Sequence, residues 1–455
     1  MNIKSQQAKN SFLFIFIYLC SLSLQPAFAT QSKEVITTDI WAATATVFKL
    51  VGEKAVNNVK LNWMQREDAD LYRIYRDGNC IGEAKGNTYD DYNLKADKTF
   101  TYHVEAFKEG KKIATSASQQ ATTFTPNGET KVYDNLNGKY ITKESAQKPQ
   151  GMKIGELYFS YKMENVEKEV DGQTLKGWLA TESFSPTGLN GSWSTSRELA
   201  FYPNVKFEGI AFRYNAKTGK VVLSAHYEDQ SGYVAAKIYL AQITPKGELE
   251  VGTMERPLGY DSRDQSLFID DDGTAYLLSA TNMNRDINIY KLDPSWTKPV
   301  LLVNTICKGL HRETPAIIKK DGEYYFFSSK ASGWYPSQTM YTSAADLGGE
   351  WTPMREIGNN STFDAQFNRI STVGKTCGVW SYHWGAQRKY KTPAGNFPRI
   401  SIAAFNKGYA SMDYYRYLEF SDKYGIIPVQ NGKNLTLNVP VTAAVPGARG
   451  IKADC

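Results

Sequence analysis

The sequence predicts an all-β protein, with a small antiparallel sandwich followed by a larger propeller of repeated sheets. Three observations predict this. Strand–turn–strand signals recur along the chain, and no stretch carries the 3.6-residue apolar rhythm of an amphipathic helix. Short alternating strands crowd residues 34–126. Beyond residue 130, hairpin units recur roughly every 50 residues, a period typical of propeller blades.

The first 29 residues have a separate character. Lys4 and Lys9 precede an apolar run from Ser11 to Leu24, and Ala27-Phe28-Ala29 gives a small–x–small cleavage pattern. Residues 1–29 are expected to be a secretion signal, delivering the mature chain to the periplasm, cell surface or medium. The run is short for a membrane span. Cys20 follows Leu19, a poor neighbour for lipid attachment, and no later stretch is apolar enough to cross a bilayer. The net charge of +6 falls to +4 without Lys4 and Lys9, and no basic run suggests nucleic acid as a partner. Cys80, Cys307, Cys377 and Cys455 show no CxxC or Cys/His spacing, and the chain has only 4 His, so a zinc site or a His-based triad is not expected. An exported chain permits disulfides, with Cys307 and Cys377 as one candidate pair.

Residues 34–126 read as about seven strands, with alternation clear at Tyr72 and Ile74 and again at Tyr102, Val104 and Ala106. This pattern predicts a sandwich. Val59-x-Leu61-x-Trp63, Tyr72-x-Ile74-Tyr75-Arg76-Asp77-Gly78, Tyr89-x-Asp91 and Thr101-Tyr102-x-Val104-x-Ala106 together resemble a fibronectin type III domain. Trp63 and the tyrosines are read as core, and the segment as a spacer or docking module without chemistry. Pro126 and Gly128, in 124–131, punctuate a linker.

Residues 130–440 carry the repeats, and 441–455 form a tail. Four units open on Glu208, Asp264, Glu313 and Gln366, spaced 56, 49 and 53 residues apart, each 8 to 11 residues before a turn glycine. A weaker fifth unit is QGMKIGELYFSYK. The length leaves five or six blades, and five is the expectation. Lead residues at one place in successive inner strands are expected to ring one pocket, where neighbouring carboxylates raise each other's pKa and suit general acid work. Asp270, Asp271 and Asp272 are read as turn residues of a hairpin.

The motifs DQSLFIDDDGTAYL, RETPAIIKKDGEYYFFSS and the following SGWYPS resemble the family 43 glycoside hydrolases, a family of five-bladed propellers. Glu208 in FEGIAFRYN, Arg263-Asp264, Arg312-Glu313 and Gln366 in STFDAQF resemble its exo-β-1,3-galactanase branch. The resemblance covers about 190 to 430 well and 130 to 190 poorly. It implies an inverting hydrolase in which Glu313 is the general acid and Asp264 orients it and sets its pKa. The aspartate base usual on the first blade has no counterpart here. In the galactanase branch an amide at the place of Gln366 is proposed to act as a base in its imidic acid form. Glu208 is the other candidate, either assisting the water or binding a sugar hydroxyl.

Trp334 and Tyr335 are candidate stacking platforms for a pyranose. Arg312, His311 and Trp384 are candidate pocket residues, with Trp380 and His383 divided between core and rim. Asn282 and Asn284 are candidate substrate contacts from the loop after the Asp264 hairpin. The expected partner is a polysaccharide or oligosaccharide, with no organic cofactor, no metal demanded by any cluster, and a monomeric chain; a channel cation is not readable from the sequence. The preferred function is exo-acting hydrolysis of β-1,3-galactan or a related galactose-containing polysaccharide. The alternatives are a non-catalytic glycan-binding propeller and a hydrolase of arabinose- or xylose-containing glycans.

Overall fold

A computed structural model describes residues 41–51, 56–124, 132–140, 149–229, 232–385, 395–421 and 424–431. The expected secretion signal, residues 125–131 of the linker, the 441–455 tail and Cys455 lie outside the described residues. As the periodicity predicts, the described chain is strand and turn, with one short 3-10 segment at Pro257–Gly259.

The N-terminal part builds two facing layers. One runs Asn79–Ala84, Leu71–Arg76, Thr99–Lys108 and Lys111–Thr115, with Gln119–Thr122 also pairing with Thr99–Lys108. The other holds Ala43–Val51, Val56–Trp63 and Thr88–Leu94. Alternation decides which side chains enter between them: Phe100, Tyr102, Val104 and Ala106 point inward from one strand. Asp77 and Gly78 close the Arg76↔Asn79 hairpin with positive φ of 48° and 80°, the geometry an Asp-Gly pair adopts at little cost. Trp63, Tyr72 and Tyr102 are fully buried in this core, so they pack and do not present a sugar platform.

Five four-stranded antiparallel sheets follow, each made of consecutive strands. Their outer limits are Met152–Pro203, Val205–Glu255, Gln265–Ile306, Arg312–Glu356 and Gln366–Tyr414. The unit around QGMKIGELYFSYK opens the first. Each sheet packs on the next through its own apolar cluster. Trp178 and Tyr202 meet Phe207 and Tyr239, and Val222 and Leu240 meet Leu277 and Tyr290. Leu278 and Ile289 meet Ile317 and Phe326, while Phe327 and Tyr341 meet Phe367 and Phe405. Burying one such aromatic or aliphatic side chain contributes roughly 1.5–3 kcal/mol, so these seams fix the order of the sheets. Sheets that succeed one another in this way, with the first strands of the second to fifth on a common pocket, form a β-propeller.

The sandwich and the propeller share a sheet. Ala43–Val51 pairs in parallel with Gly425–Asn431, which pairs with Tyr417–Ser421, which in turn pairs with Val132–Asp134. The closing segment YYRYLEFSDKYG thus leaves the fifth propeller sheet and joins the N-terminal layer. Buried polar contacts lock the joint: Asp413 accepts from Lys60 Nζ at 2.8 Å and Asn62 Nδ2 at 2.9 Å, and Asn406 Nδ2 donates to Ala43 O at 2.8 Å. No disulfide joins the described cysteines: Cys80, Cys307 and Cys377 are free thiols, so the candidate Cys307–Cys377 pair does not form.

Replacing Asp413 with Ala leaves Lys60 and Asn62 without their acceptor at a largely buried seam. Urea denaturation is expected to show a loss of about 2–4 kcal/mol in one cooperative transition. Two separate transitions in the wild-type chain would contradict the shared sheet.

Candidate active site

Each of three inner strands breaks its pairing just after a candidate side chain. The register shifts between Glu208 and Ala211, between Glu313 and Ala316, and between Phe367 and Arg369. Such bulges bend a strand and re-aim the side chain beside them. The residue after Glu208 is Gly209, at φ 60°. The residue after Glu313 is Thr314, at φ 54°, although it is β-branched and precedes Pro315. That conformation costs on the order of 1–3 kcal/mol and persists only where the surroundings impose it. Asp264 supplies the constraint: its Oδ2 accepts from the Thr314 backbone N–H at 3.1 Å and from Thr314 Oγ1 at 3.4 Å.

The three bulged strands and the start of the Gln265–Ile269 strand wall one pocket of about 880 Å³. Glu208, Asp264, Glu313 and Gln366 all line it, as the spacing predicts. No described residue of the first sheet does, in keeping with the missing first-blade aspartate.

The acids are held in different states. Glu313 is pushed up to about 8, first by burial and then by the neighbouring Asp264 charge. These outweigh the amide donors, Asn284 Nδ2 to Oε1 at 2.8 Å and Gln366 Nε2 to Oε2 at 3.3 Å. Asp264 is itself raised by burial. Glu208 goes the other way: burial opposes its charge, yet His226, Lys206 and Tyr233 bring it down to about 2. Lys206 Nζ lies 2.7 Å from Oε1, Tyr233 Oη donates to the same oxygen at 2.8 Å, and His226 Nδ1 faces Oε2 at 3.6 Å. Behind it, the buried His226 bonds Glu228 through Nε2 at 2.7 Å. The pocket therefore offers a protonated acid at neutral pH on one wall and a fixed carboxylate on another.

Gln366 is oriented without ambiguity. Trp384 Nε1–H, which can only donate, reaches Gln366 Oε1 at 3.0 Å, so the amide nitrogen faces Glu313. Trp384 and Tyr382 line the wall, with ring centroids 4.5 Å apart. Trp334 lines the mouth and is 55% exposed, free to stack on a sugar, whereas Tyr335 is exposed beside it and does not line the pocket. Arg312 is not a wall residue. Its guanidinium is buried and donates to Ser328 Oγ at 3.0 Å and Gln338 O at 3.1 Å, and burial pushes it down to about 10. It anchors the strand that carries Glu313. His311 and Asn282 do not line the pocket either. His383 is buried beside Asp364. Asp270 and Asp272 serve the turn, bonding Lys319, Tyr324 and Thr274.

The sequence reading missed Tyr233, Lys206 and His226. His226 had a signal: it stands opposite Glu208 in the hairpin register and is one of only 4 His in the chain. Tyr233 sits in a connection with no strand pattern to place it. Among the described residues, no group of three or more His, Cys, Asp or Glu could hold a metal, and no helix is long and apolar enough to cross a membrane.

Residues 250–376 match the family model described as "Glycosyl hydrolases family 43". The matched segment, under a third of the chain, is similar to that family. It contains Asp264, Glu313 and Gln366. Solved structures that this chain matches in part include the exo-β-1,3-galactanase 1,3Gal43A from Clostridium thermocellum, 25% identical over 66% of this chain and 67% of that one, with a TM-score of 0.49. The exo-β-1,3-galactanase Pc1,3Gal43A from Phanerochaete chrysosporium is 24% identical over 65% and 69%, with a TM-score of 0.48. A family 43 β-1,3-galactosidase is 21% identical over 65% of this chain and 100% of that one, with a TM-score of 0.46. No curated protein matches in sequence.

The raised Glu313 has a stability signature. Between the ordinary carboxylate range and about 8, the unfolded chain ionises this group while the folded chain keeps it protonated. The folded state therefore loses stability as pH rises through that window, by up to about 3 kcal/mol at pH 7. Glu313→Gln cannot ionise. Urea denaturation is expected to show the variant gaining on wild type between pH 4 and pH 8; a pH-independent difference would contradict the assignment.

Proposed function

We propose that this chain is an exported, inverting, exo-acting family 43 hydrolase that cleaves β-1,3-linked galactan or a related galactose-containing polysaccharide. On this reading the five propeller sheets are five blades, residues 34–126 are a fibronectin type III-like spacer or docking sandwich, and the chain works as a monomer. One observation carries the chemistry: Glu313 keeps its proton up to about 8 in a pocket where Glu208 is ionised. A protonated carboxyl can donate to the departing glycosidic oxygen as the bond to the anomeric carbon breaks. Asp264 fixes the Thr314 bulge and through it the aim of Glu313. Water attacks the anomeric carbon from the far face, which needs a gap of roughly 6.5–9.5 Å between the proton donor and the group that receives the water proton.

Gln366 and Glu208 are the groups available to the water. Gln366 faces Glu313 through its amide nitrogen, the orientation of an ordinary amide, which is a weak base. Glu208 is a charged acceptor, held ready by Lys206, Tyr233 and His226. Trp334 supplies an exposed aromatic face at the mouth for a sugar ring. The galactan assignment is supported by the sequence pattern that pairs Glu208, Arg263-Asp264, Arg312-Glu313 and Gln366 without a first-blade aspartate.

Incubation with β-1,3-galactan is expected to release monosaccharide, with kcat falling as pH rises through about 8 and the acidic limb lying far below neutrality. Glu313→Gln is expected to lower kcat by roughly 10²–10⁴-fold with KM little changed. Binding of galacto-oligosaccharides without release, unaltered by this substitution, would mark a glycan-binding propeller instead. Release from arabinan or xylan in place of galactan would move the substrate class.

A further inference from the structure

The catalytic side chains do not account for the whole pocket. Arg213 and Arg369 also line it, one from the second sheet and one from the fifth. The bulges that aim the active-site residues also place these arginines. Across the Glu208/Ala211 bulge, Glu208 stands opposite His226 and Arg213 opposite Val222, so their partners are four residues apart. Across the Phe367/Arg369 bulge, Gln366 stands opposite Tyr382 and Arg369 opposite Trp380, two residues apart. Side chains alternate along a strand, so Arg213 shares a sheet face with Glu208, and Arg369 shares one with Gln366. Arg369 lies one same-face step beyond Gln366, and Arg213 two beyond Glu208.

Neither guanidinium has a carboxylate within ion-pair distance among the described residues. Arg213 Nη1 donates to Phe212 O at 3.0 Å, and Arg369 lies over the Trp380 ring at 4.8 Å. Those contacts leave most of their donors unused, five per guanidinium. Although both are exposed, partial desolvation by the pocket wall lowers both, and Arg213 lowers Arg369 further through like-charge repulsion. Both side chains are exposed on the concave wall, where two like charges repel and an anion between them would relieve that repulsion. Guanidinium forks match planar or tetrahedral oxyanions, and the same walls do not suit a cation.

We propose that the pocket binds an oxyanion at Arg213 and Arg369, either a small free ion or an acidic group, carboxylate or sulfate ester, carried by the glycan. The second source rests on the reading of this pocket as the glycan site; the first does not.

The test is calorimetry on the folded full chain at low ionic strength, with sodium sulfate as probe. Wild type is expected to bind sulfate, and Arg213→Gln/Arg369→Gln to weaken it at least tenfold while circular dichroism shows the fold intact. Glu313→Gln is expected to bind sulfate like wild type, which separates this site from the hydrolase reading. Should the double variant fail to fold, Arg369→Gln and Arg369→Lys make the same comparison, with Gln weakening binding and Lys largely keeping it. A second arm uses a uronate-bearing β-1,3-galacto-oligosaccharide beside its neutral counterpart. Tighter binding of the acidic one, displaced by sulfate, assigns the anion to the glycan, whereas equal binding with sulfate still bound assigns it to a free ion. No sulfate binding by wild type, or equal binding by the folded arginine variants, overturns the proposal.

Discussion

The site depends on keeping one proton where water would remove it. Glu313 is withdrawn from solvent beside Asp264, a second acid that is itself buried. Ionising both carboxyls in that cleft would place two like charges in a medium too poor in water to screen them. The amides of Asn284 and Gln366 soften this cost without cancelling it. What distinguishes Glu313 from Glu208, which lines the same pocket, is therefore the company each keeps. Glu208 has an ammonium, a phenol and an imidazole around it; Glu313 has amides and another acid.

Backbone geometry serves the same end. Thr314 holds a conformation that neither its branched side chain nor the following proline favours, and Asp264 imposes it through two hydrogen bonds. One carboxylate thus acts on Glu313 twice, by its charge and by the bend it maintains. The strain is affordable because the fourth sheet is clamped on both sides by aromatic seams and, beneath the site, by the buried Arg312.

Much of this was legible in the sequence, and the reasons differ by residue. The Asp-Gly turns and the spacing of Glu208, Asp264, Glu313 and Gln366 reported a repeat, and a repeat brings equivalent positions together. The alternation of Tyr102, Val104 and Ala106 reported a buried face. The joint between the sandwich and the propeller was not legible: the parallel pairing of Lys49 with Val429 spans nearly the whole chain, and nothing local marks it. Arg312 misled because its neighbour is Glu313, yet adjacent strand residues point to opposite faces, so an arginine beside an acid is turned away from that acid's pocket. Nothing local singles out Arg213 and Arg369, because the bulges that bring them into phase with Glu208 and Gln366 leave no mark in the sequence.

The most direct test of this account is a titration of the Glu313 carboxyl itself, by carbon-detected NMR of selectively labelled glutamate, in wild type and in Asp264→Asn. Glu313 is expected to titrate near 8 in wild type and lower in the variant, where the neighbouring charge is gone but burial remains. An ordinary glutamate titration in the wild-type chain, unchanged by Asp264→Asn, would contradict it.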